Sequence, residues 1–431
     1  MKIGKLQIII SAIALAAALF AILIFAGVIP GFGGLGANQF SKISMWGPLD
    51  KNIVNRYTGE LKRNPTNIEI VYTQKDPETI ENDFVDALAN GTGPDIILLP
   101  SNLIYKHKNK LAKVPENIMS ARNFIDIFAD GTEILLDTDG ITGLPFMIDP
   151  LVLYWNRDIF RNESIPAPPK TWDEFMMISQ KLTKLDQSGK ILRSGAALGV
   201  ESNINNLKDI ISLLVLETGA PIVENRTFRI NFSPDAGNSG PDGMEYALRF
   251  YSAFSNPQKF SYSWTRAMPE AKDVFTRDSL AMYFGFGSEM PLLKEANPHL
   301  NFDVYPVPQI LNGKLKLTSG KFLFLGVAKQ TRSPEASFKA VQILSGKNFL
   351  EEISKDFYLA PARRDLLDYS GKDPALETIY GESIRFKTWV DADPEKTLDI
   401  FRQMVKSVYI GEKTENQASR DAKAQLELLY R

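Results

Sequence analysis

Apolar residues after residue 40 alternate between strand-like runs and helix-like spacing. Ile80, Phe84 and Leu88 recur at every fourth position, which predicts the apolar face of a helix. Asp76 before Pro77 is predicted to cap the start of this helix. A strand, a helix and a strand in this order predict a βαβ unit and a parallel sheet. The strand-like runs are Ile43–Trp46, Ile68–Tyr72 and Pro94–Leu99.

Polar and aromatic side chains stand at the ends of two of these predicted strands. Trp46 and Asp50 lie at the end of the first strand, and Ser101 and Asn102 follow the third. Ligands of parallel sheets bind beyond the carboxyl ends of the strands. We therefore predict that these four residues contact a ligand.

Residues 143–156 are predicted to form a buried strand on which the rest of the chain is organised. Asp149 is fixed before Pro150, and a residue before a proline is pushed towards extended geometry. An apolar run then ends in Tyr154 and Trp155, as in a buried strand. The residues alone leave two interpretations open: a core strand with core aromatics, or a strand that presents Asp149, Tyr154 and Trp155 to a ligand.

Further aromatic residues stand beside glycines, strand ends or loop–helix joins. An aromatic ring can cover the apolar C–H face of a sugar, while acids, amides and guanidinium groups bind its hydroxyls. Glu217 and Arg363 are candidates for this polar role, beside Asp50, Asn102 and Asp149. Each of these residues alone is more often a core, surface or capping residue. The aromatic candidates are Trp46, Tyr154, Trp155, Trp264, Phe284, Phe286 and Trp389.

The N-terminal run Leu6–Ile29 is almost entirely apolar and long enough to span a hydrocarbon core of about 30 Å. Lys2 and Lys5 precede it, which predicts a cytoplasmic N-terminus and an exported remainder. We predict a cytoplasmic stub (1–5), a transmembrane anchor (6–29) and a flexible glycine-rich tether (30–40). The alternative is a cleaved signal peptide, whose apolar region is usually shorter and ends at a small-residue cleavage site.

Composition narrows the function. A net charge of -2 gives no basic surplus for nucleic acid. The absence of cysteine excludes disulfides, thiolate catalysis and cysteine-ligated zinc. The two histidines, His107 and His299, are predicted at the surface, which disfavours a histidine-based catalytic or metal site. We predict no cofactor and no metal, although paired glycosidase carboxylates stay open because their spacing in space is invisible here.

Six stretches, in this order along nearly all of the chain after residue 40, resemble a known family. The family is that of the extracellular solute-binding proteins of ABC importers, in its carbohydrate-binding, maltose-type branch (family 1). Each motif is short, and the ordered set gives the resemblance its specificity. The stretches are Ile43–Gly47, Pro94–Ser101, Pro145–Asn156, Pro169–Phe175, Ala281–Gly285 and Ala360–Asp365.

The resemblance implies an α/β fold of the periplasmic-binding-protein type (type II), with two lobes joined by hinge strands around a ligand cleft. On this sequence the first lobe would comprise 41–148 and 329–370, and the second 149–328 and 371–431. The crossings would fall near Met147–Leu151 and Phe322–Val327, with a third near Asp365–Pro374.

The resemblance also implies a monomeric receptor that captures a sugar or oligosaccharide and passes it unchanged to ABC permease subunits. A non-sugar solute (a polyamine, peptide or glycerophosphodiester), or an enzyme or sensor on the same fold, are the alternatives. This chain has no cysteine for lipid attachment, and Trp155 stands where the family often has tyrosine. Trp264 and Trp389 are predicted cleft residues with less motif support. Residues placed in the cleft by motif are Trp46, Ser101, Asp149, Tyr154, Trp155, Phe286 and Arg363.

Overall fold

The computed structural model of the protein describes residues 13–20, 41–61, 67–224, 227–233 and 242–431. The predicted cytoplasmic stub, most of the predicted anchor and the whole predicted tether lie outside these ranges. Residues 13–20 form a helix, α1, whose side chains are exposed. In the described ranges no helix is both long and apolar enough to cross a membrane.

Strands and helices alternate through the remaining described residues. The strands are β1 Ser41–Gly47, β2 Ile68–Gln74, β3 Ile96–Pro100, β4 Leu111–Ala112, β5 Leu136–Asp137, β6 Gly140–Ile141, β7 Leu144–Asn156, β8 Lys184–Leu185, β9 Ile191–Ala196, β10 Ile222–Val223, β11 Ile230–Asn231, β12 Leu280–Phe286, β13 Phe302–Tyr305, β14 Thr318–Ala328, β15 Ala360–Pro361 and β16 Phe386–Lys387. The helices are α2 Lys51–Leu61, α3 Ile80–Ala89, α4 Ile104–His107, α5 Ala121–Ile127, α6 Arg157–Asn162, α7 Trp172–Leu182, α8 Leu207–Glu217, α9 Gly243–Ser252, α10 Ala271–Thr276, α11 Met290–Ala296, α12 Pro334–Leu344, α13 Lys347–Asp356, α14 Pro374–Ile384, α15 Pro394–Tyr409 and α16 Glu415–Leu429.

The main sheet has the order β2-β1-β3-β14-β7-β12-β9-β8. Strand β1 pairs in parallel with both β2 and β3, which confirms the predicted βαβ unit. In the other half of the sheet β12 is parallel to β9. Each half therefore has its own parallel strands, and their carboxyl ends define an edge where a ligand can bind.

Two long strands run through both halves and divide the molecule into two lobes. The first part of β7 pairs with β14 and β15, and its last six residues pair with β12 and β13. At the crossing Gly320 lies opposite Pro150, and a Cβ on Gly320 would stand only 2.5 Å from the carbonyl oxygen of Asp149. Only glycine lets the two backbones approach this closely. The predicted two-lobed α/β fold with hinge strands is confirmed.

The crossing of β14 lies earlier than predicted. Leu323–Val327 pairs with β3 and belongs to the sheet of the first lobe, so the crossing falls at Gly320–Lys321 instead of Phe322–Val327. The apolar run marks the part of the strand that is buried within a lobe. The predicted lobe boundaries, which placed 149–328 in the second lobe, stay a prediction.

Local signals fix several helix ends. Thr414 and Gln417 form the predicted capping box of α16, and the Thr171 hydroxyl accepts the N–H of Glu174 at the start of α7. The predicted cap Asp76 does not start α3, which begins at Ile80. Its carboxylate accepts the N–H of Glu78 in a preceding turn.

Glu217, at the end of α8, is a buried acid in the core of the second lobe. Its side chain is 4% exposed. The indole N–H of Trp172 donates to Glu217 Oε2 at 2.5 Å, and Oε1 has no partner among the described residues. Burial raises the pKa of Glu217 to about 8, and the bond from Trp172 opposes this only in part. Glu217, a candidate for a polar ligand contact, therefore lies in the core.

We predict that Glu217→Gln makes stability less dependent on pH. A carboxyl whose pKa rises on folding stabilises the folded protein fully at pH values below its unfolded pKa of about 4.5. This stabilisation is lost as pH rises towards the folded pKa of about 8. The wild type should lose about 3–5 kcal/mol of unfolding free energy across that window relative to the variant. Urea unfolding at several pH values measures this difference. The exposed acid Glu427 supplies the control, Glu427→Gln, and parallel pH profiles for wild type and Glu217→Gln would contradict the prediction.

Candidate functional site

The lobes meet at a buried carboxyl, Asp149 of β7, whose side chain is 5% exposed. Its Oδ1 accepts the backbone N–H of Ser288 at 3.0 Å, and its Oδ2 accepts the Ser288 hydroxyl at 2.7 Å. Lys321 Nζ of β14 lies 3.9 Å from Oδ2. Ser288 lies two residues after the end of β12. Asp149 therefore joins both hinge strands to the end of a second-lobe strand.

Burial dominates the electrostatics of this carboxyl. Loss of water raises the pKa of Asp149 above its ordinary value, while Lys321 and the bonds from Ser288 oppose the change. The ammonium group of Lys321 also lies 4.1 Å from the centre of the Phe286 ring, a cation–π distance. We call Asp149, Phe286, Ser288 and Lys321 the crossing cluster.

The carboxyl end of β1 carries two predicted contacts in different settings. Trp46 is half-buried, and Lys75 Nζ lies 4.1 Å from the centre of its ring. Asp50 is exposed, and its carboxylate accepts the N–H groups of Asn52 and Ile53 at 2.9 and 3.1 Å. Asp50 therefore caps the start of α2, and one carboxylate oxygen engages in both of these bonds.

The carboxyl end of β3 is followed by the other two predicted contacts, Ser101 and Asn102. The Ser101 hydroxyl accepts the backbone N–H of Phe322 at 3.2 Å, which links this end to the crossing in β14. The side-chain oxygen of Asn102 is buried and has no hydrogen-bond partner among the described residues. An unpaired buried acceptor costs free energy, and a donor on a ligand can remove that cost.

A cavity of about 330 Å³ begins two residues beyond Asn102 and has walls from both lobes. We call it the inter-lobe cavity. Its volume lies in the range of small-molecule sites. Lys108 Nζ and Asp137 Oδ2 form an ion pair of 2.9 Å in its wall. The first lobe supplies Ile104, Tyr105, Lys108, Ile125, Glu133, Ile134, Leu136, Asp137 and Thr142, and the second supplies Phe228 and Val390.

Trp389 lies beside this cavity, next to Val390 in the chain. The indole is buried, and its N–H donates to the Ser212 hydroxyl of α8 at 3.2 Å. Lys208 Nζ lies 5.8 Å from the ring centre and 2.6 Å from Asp391. The polar edge of Trp389 is thus satisfied by the second lobe.

Two predicted aromatic contacts are core residues instead. Tyr154 is fully buried, and its hydroxyl donates to the carbonyl oxygen of Phe286 at 2.7 Å. Trp264 is fully buried, and its indole N–H donates to Asn203 at 2.8 Å. Neither ring has a free face, because both are enclosed by the second lobe. Phe284, on the same strand as Phe286, is buried in the same core.

Trp155 lies away from the cleft, contrary to our prediction. It pairs with Met282, whereas Leu151 pairs with Phe286 at the crossing. Four residues of strand, about 13 Å, therefore separate Trp155 from the crossing. Trp155 lines a different cavity, of about 470 Å³, with Phe160 and others.

Arg363 follows β15 in the first lobe. Its guanidinium Nε lies 2.9 Å from Asp365, and its backbone bridges to Phe128. No contact within the described residues joins it to the crossing cluster. Ser101, Asp149 and Phe286 each contact β14 at Lys321 or Phe322. Trp46, Asp50 and Asn102 lie at or just beyond the ends of β1 and β3, and Trp389 packs against α8. Their role as ligand contacts stays a prediction.

Sequence reasoning missed Tyr105, Lys108, Phe228, Ser288 and Lys321. Ser288 lies three residues after the motif Ala281–Gly285, and Lys321 directly precedes the predicted crossing Phe322–Val327, so proximity to these stretches was a usable signal. Phe228 lies in the hairpin of β10 and β11 and begins the alternating run Phe228, Ile230 and Phe232, which predicts a strand rather than a ligand contact.

The basic run that contains Tyr105 and Lys108 suggested an exposed surface. It instead lines the cleft, and His107 within it is buried, with Nε2 at 3.1 Å from Glu81. Burial lowers the pKa of His107. The prediction that His107 lies at the surface is wrong, while His299 is exposed as predicted.

Within the described ranges, no cluster of three or more histidine, aspartate or glutamate side chains could hold a metal ion. Two lobes, two shared strands and a cavity walled by both lobes define a two-lobed binding protein. A family model described as bacterial extracellular solute-binding protein matches residues 52–378, and the chain belongs to that family. This confirms the resemblance to extracellular solute-binding proteins. Because these are binding proteins, it also confirms the expectation that the chain is not an enzyme.

Solved structures share the fold over most of the chain. A cyclic α-maltosyl-1,6-maltose binding protein from Arthrobacter globiformis has a TM-score of 0.74 at 15% identity, covering 90% of this chain and 98% of its own. A cyclo/maltodextrin-binding protein complexed with maltotetraose has a TM-score of 0.70 at 17% identity, covering 90% and 96%. An ABC transporter solute-binding protein from Thermotoga lettingae, bound with α-D-tagatose, has a TM-score of 0.69 at 19% identity, covering 90% and 99%.

Relatives by sequence are distant. A protein of Brucella abortus (strain 2308), named as a binding protein, is 21% identical over 305 residues, which is 68% of this chain and 69% of that protein. A lipoprotein of Streptomyces antibioticus is 26% identical over 170 residues, 38% of this chain and 37% of that protein. Identities this low support a shared fold but do not identify the ligand, which depends on the side chains of the binding site.

We predict that Asp149→Ala destabilises the protein by about 1–3 kcal/mol, because it leaves the N–H and the hydroxyl of Ser288 without their acceptor. Ser288→Ala is the matched variant. It removes only the hydroxyl, keeps the N–H bond, and should cost less. Urea unfolding of both variants gives the comparison. An Asp149→Ala variant no less stable than Ser288→Ala would show that the paired bonds do not hold the crossing.

Proposed function

We propose that this protein is an extracytoplasmic receptor of an ABC importer that captures a sugar or oligosaccharide between its lobes and delivers it unchanged to a membrane permease. The observation that carries the proposal is the inter-lobe cavity, whose wall combines first-lobe residues with Phe228 and Val390. A site shared by two hinged lobes couples binding to closure. A closed receptor presents a different surface to a partner than an open one.

The side chains at the strand ends and at the crossing suit a hydroxylated ligand, although none of those named here lines the inter-lobe cavity itself. At the strand ends Trp46 offers a half-buried ring and Phe286 a ring that is 6% exposed. Asn102 offers a side-chain oxygen without a hydrogen-bond partner among the described residues. Lys321, with about 40% of its side chain exposed, offers donors at the crossing. Rings for the C–H faces and polar groups for the hydroxyls are the combination that sugar binding requires.

The named ligands of the similar structures support the same class. Maltotetraose and α-D-tagatose are both carbohydrates, and the proteins that bind them share this fold over about nine tenths of the chain. The particular sugar is set by side chains that differ at such low identity. Trp46, Asp50, Ser101, Asn102, Asp149, Phe286 and Trp389 are the residues that we propose around the ligand.

The membrane arrangement is a further part of the proposal. The apolar run 6–29, with Lys2 and Lys5 before it, supports an N-terminal anchor that keeps a monomeric receptor at the outer face of the membrane. The glycine-rich residues 30–40 would tether the lobes. The second lobe would begin near residue 149, where β7 leaves the first.

A cationic solute such as a polyamine is disfavoured by one observation. Lysine ammonium groups already lie 4.1 Å from the ring centres of both Trp46 and Phe286. A second cation would have to displace them or approach against their charge.

We predict that a panel of neutral sugars contains a ligand that raises the melting temperature, and that polyamines and peptides do not. With that sugar, Trp46→Ala and Phe286→Ala should each weaken binding about tenfold, the effect of losing one stacking surface worth about 1.4 kcal/mol. Isothermal titration calorimetry gives the dissociation constants.

Trp155→Ala is the matched control, since it removes an indole that lies about four residues of strand from the crossing. It should leave affinity unchanged. A melting temperature raised only by an amine or a peptide would refute the carbohydrate assignment. Loss of binding in Trp155→Ala alone would move the site to the other end of β7.

A further inference from the structure

Three aromatic rings join the lobes at the inter-lobe cavity. Tyr105 of α4 in the first lobe meets Phe228 edge-on at 5.3 Å and Tyr430 edge-on at 5.4 Å between ring centres. Phe228 and Tyr430, both of the second lobe, are nearly parallel, at 6.1 Å and 13°. We call these three residues the ring cluster. Aromatic pairs at such distances attract each other beyond the area they bury.

Tyr430, the penultimate residue of the chain, is anchored within the second lobe. Its hydroxyl donates to the carbonyl oxygen of Val390, which itself lines the inter-lobe cavity. Burial raises the pKa of Tyr430 far above its ordinary value, so the hydroxyl stays protonated and keeps donating. Tyr430 is thereby held beside the cavity wall.

Phe228 adopts a backbone conformation that a large side chain rarely takes. Its φ is +53°, in the left-handed region that favours glycine. Such strain persists where surrounding contacts impose it, and it marks positions worth a functional explanation. The backbone N–H of Phe228 donates to the carbonyl oxygen of Glu224 at 2.8 Å within the hairpin, and the rings of Tyr105 and Tyr430 pack against the Phe228 ring in the cavity wall.

Charges reinforce the same lobe contact. Lys108 Nζ lies 5.5 Å from the ring centre of Tyr105 and 5.2 Å from that of Phe228, one ring from each lobe. Burial lowers the pKa of the neighbouring Lys106, but Glu81 of its own lobe and Asp393 and Glu395 of the second lobe raise it overall. Attraction between Lys106 and the start of α15 therefore acts across the lobe boundary.

We propose that Tyr430 is a positioning residue for solute capture: it holds Phe228, which lines the inter-lobe cavity, against Tyr105 and keeps the lobes together. The inference rests on the proposed function only in that the cavity is the solute site. The ring cluster favours the closed arrangement before any ligand arrives. The apparent affinity of a receptor is reduced by the fraction of molecules that are not in the binding-competent state. A receptor that is already closed without ligand therefore binds with an affinity nearer to its intrinsic value.

The test measures the distance between lobes without ligand. The chain has no cysteine, so Glu116→Cys in the first lobe and Lys259→Cys in the second provide two unique spin-labelling sites, both exposed. Pulsed electron paramagnetic resonance then gives the distance distribution. Tyr430→Ala should shift it towards a separated population, and Tyr430→Phe, which keeps the ring, should restore the wild-type distribution.

Leu428→Ala is the control, because it alters an exposed side chain at the end of α16, two residues before Tyr430. Circular dichroism confirms that each variant is folded. With a carbohydrate ligand in hand, Tyr430→Ala should weaken binding about tenfold, the loss expected from two ring pairs. An unchanged distance distribution in Tyr430→Ala would overturn the proposal. The distance between the lobes is measured without ligand. A sugar panel that yields no ligand would therefore count against the proposed function, and an unchanged distance would count against the role of the ring cluster.

Discussion

The structure depends on a carboxyl group buried where two strands pass from one lobe to the other. Asp149 accepts both hydrogen bonds that Ser288 can donate, and it faces Lys321 of the second hinge strand. Burying a charged or polar group is costly unless its partners are in place, so this carboxyl restricts how β7, β14 and the end of β12 can be arranged. The lobes can bend about this point, but the elements around it have to move together.

The cleft faces combine rings with ammonium groups. Lys75 lies over Trp46, Lys321 over Phe286, and Lys108 beside Tyr105 and Phe228. A lysine in such a place keeps its polar head in the cleft while its stem covers apolar surface. An ammonium group thus lies against each of these rings. A bound solute would exchange places with these ammonium groups or accept hydrogen bonds from them.

Much of the fold could be predicted from the sequence, because hydrophobic period and turn residues are local. The strand β7, the βαβ unit and the capping box at Thr414 all follow from such signals. The candidate binding site was harder to predict from the sequence, since it depends on which way each side chain points and on contacts between distant segments of the chain. Trp155 follows Tyr154 directly, yet only strand register shows that it stands at the far end of β12. Tyr105 and Phe228 meet across 123 positions of chain, and no local pattern reports such a contact.

The order of strands in the main sheet has a consequence for biosynthesis. Strand β3 lies between β1, which precedes it closely, and β14, which is made more than two hundred residues later. Until the ribosome has produced β14, one edge of β3 presents unpaired backbone groups, and such an edge can pair with a wrong strand. Most of the second lobe lies within this gap, but α15 and α16, which pack against α8 and α9, are made after β14. The sheet of the N-terminal lobe therefore stays incomplete in a nascent polypeptide of up to about 320 residues, and we expect chaperones to protect this species.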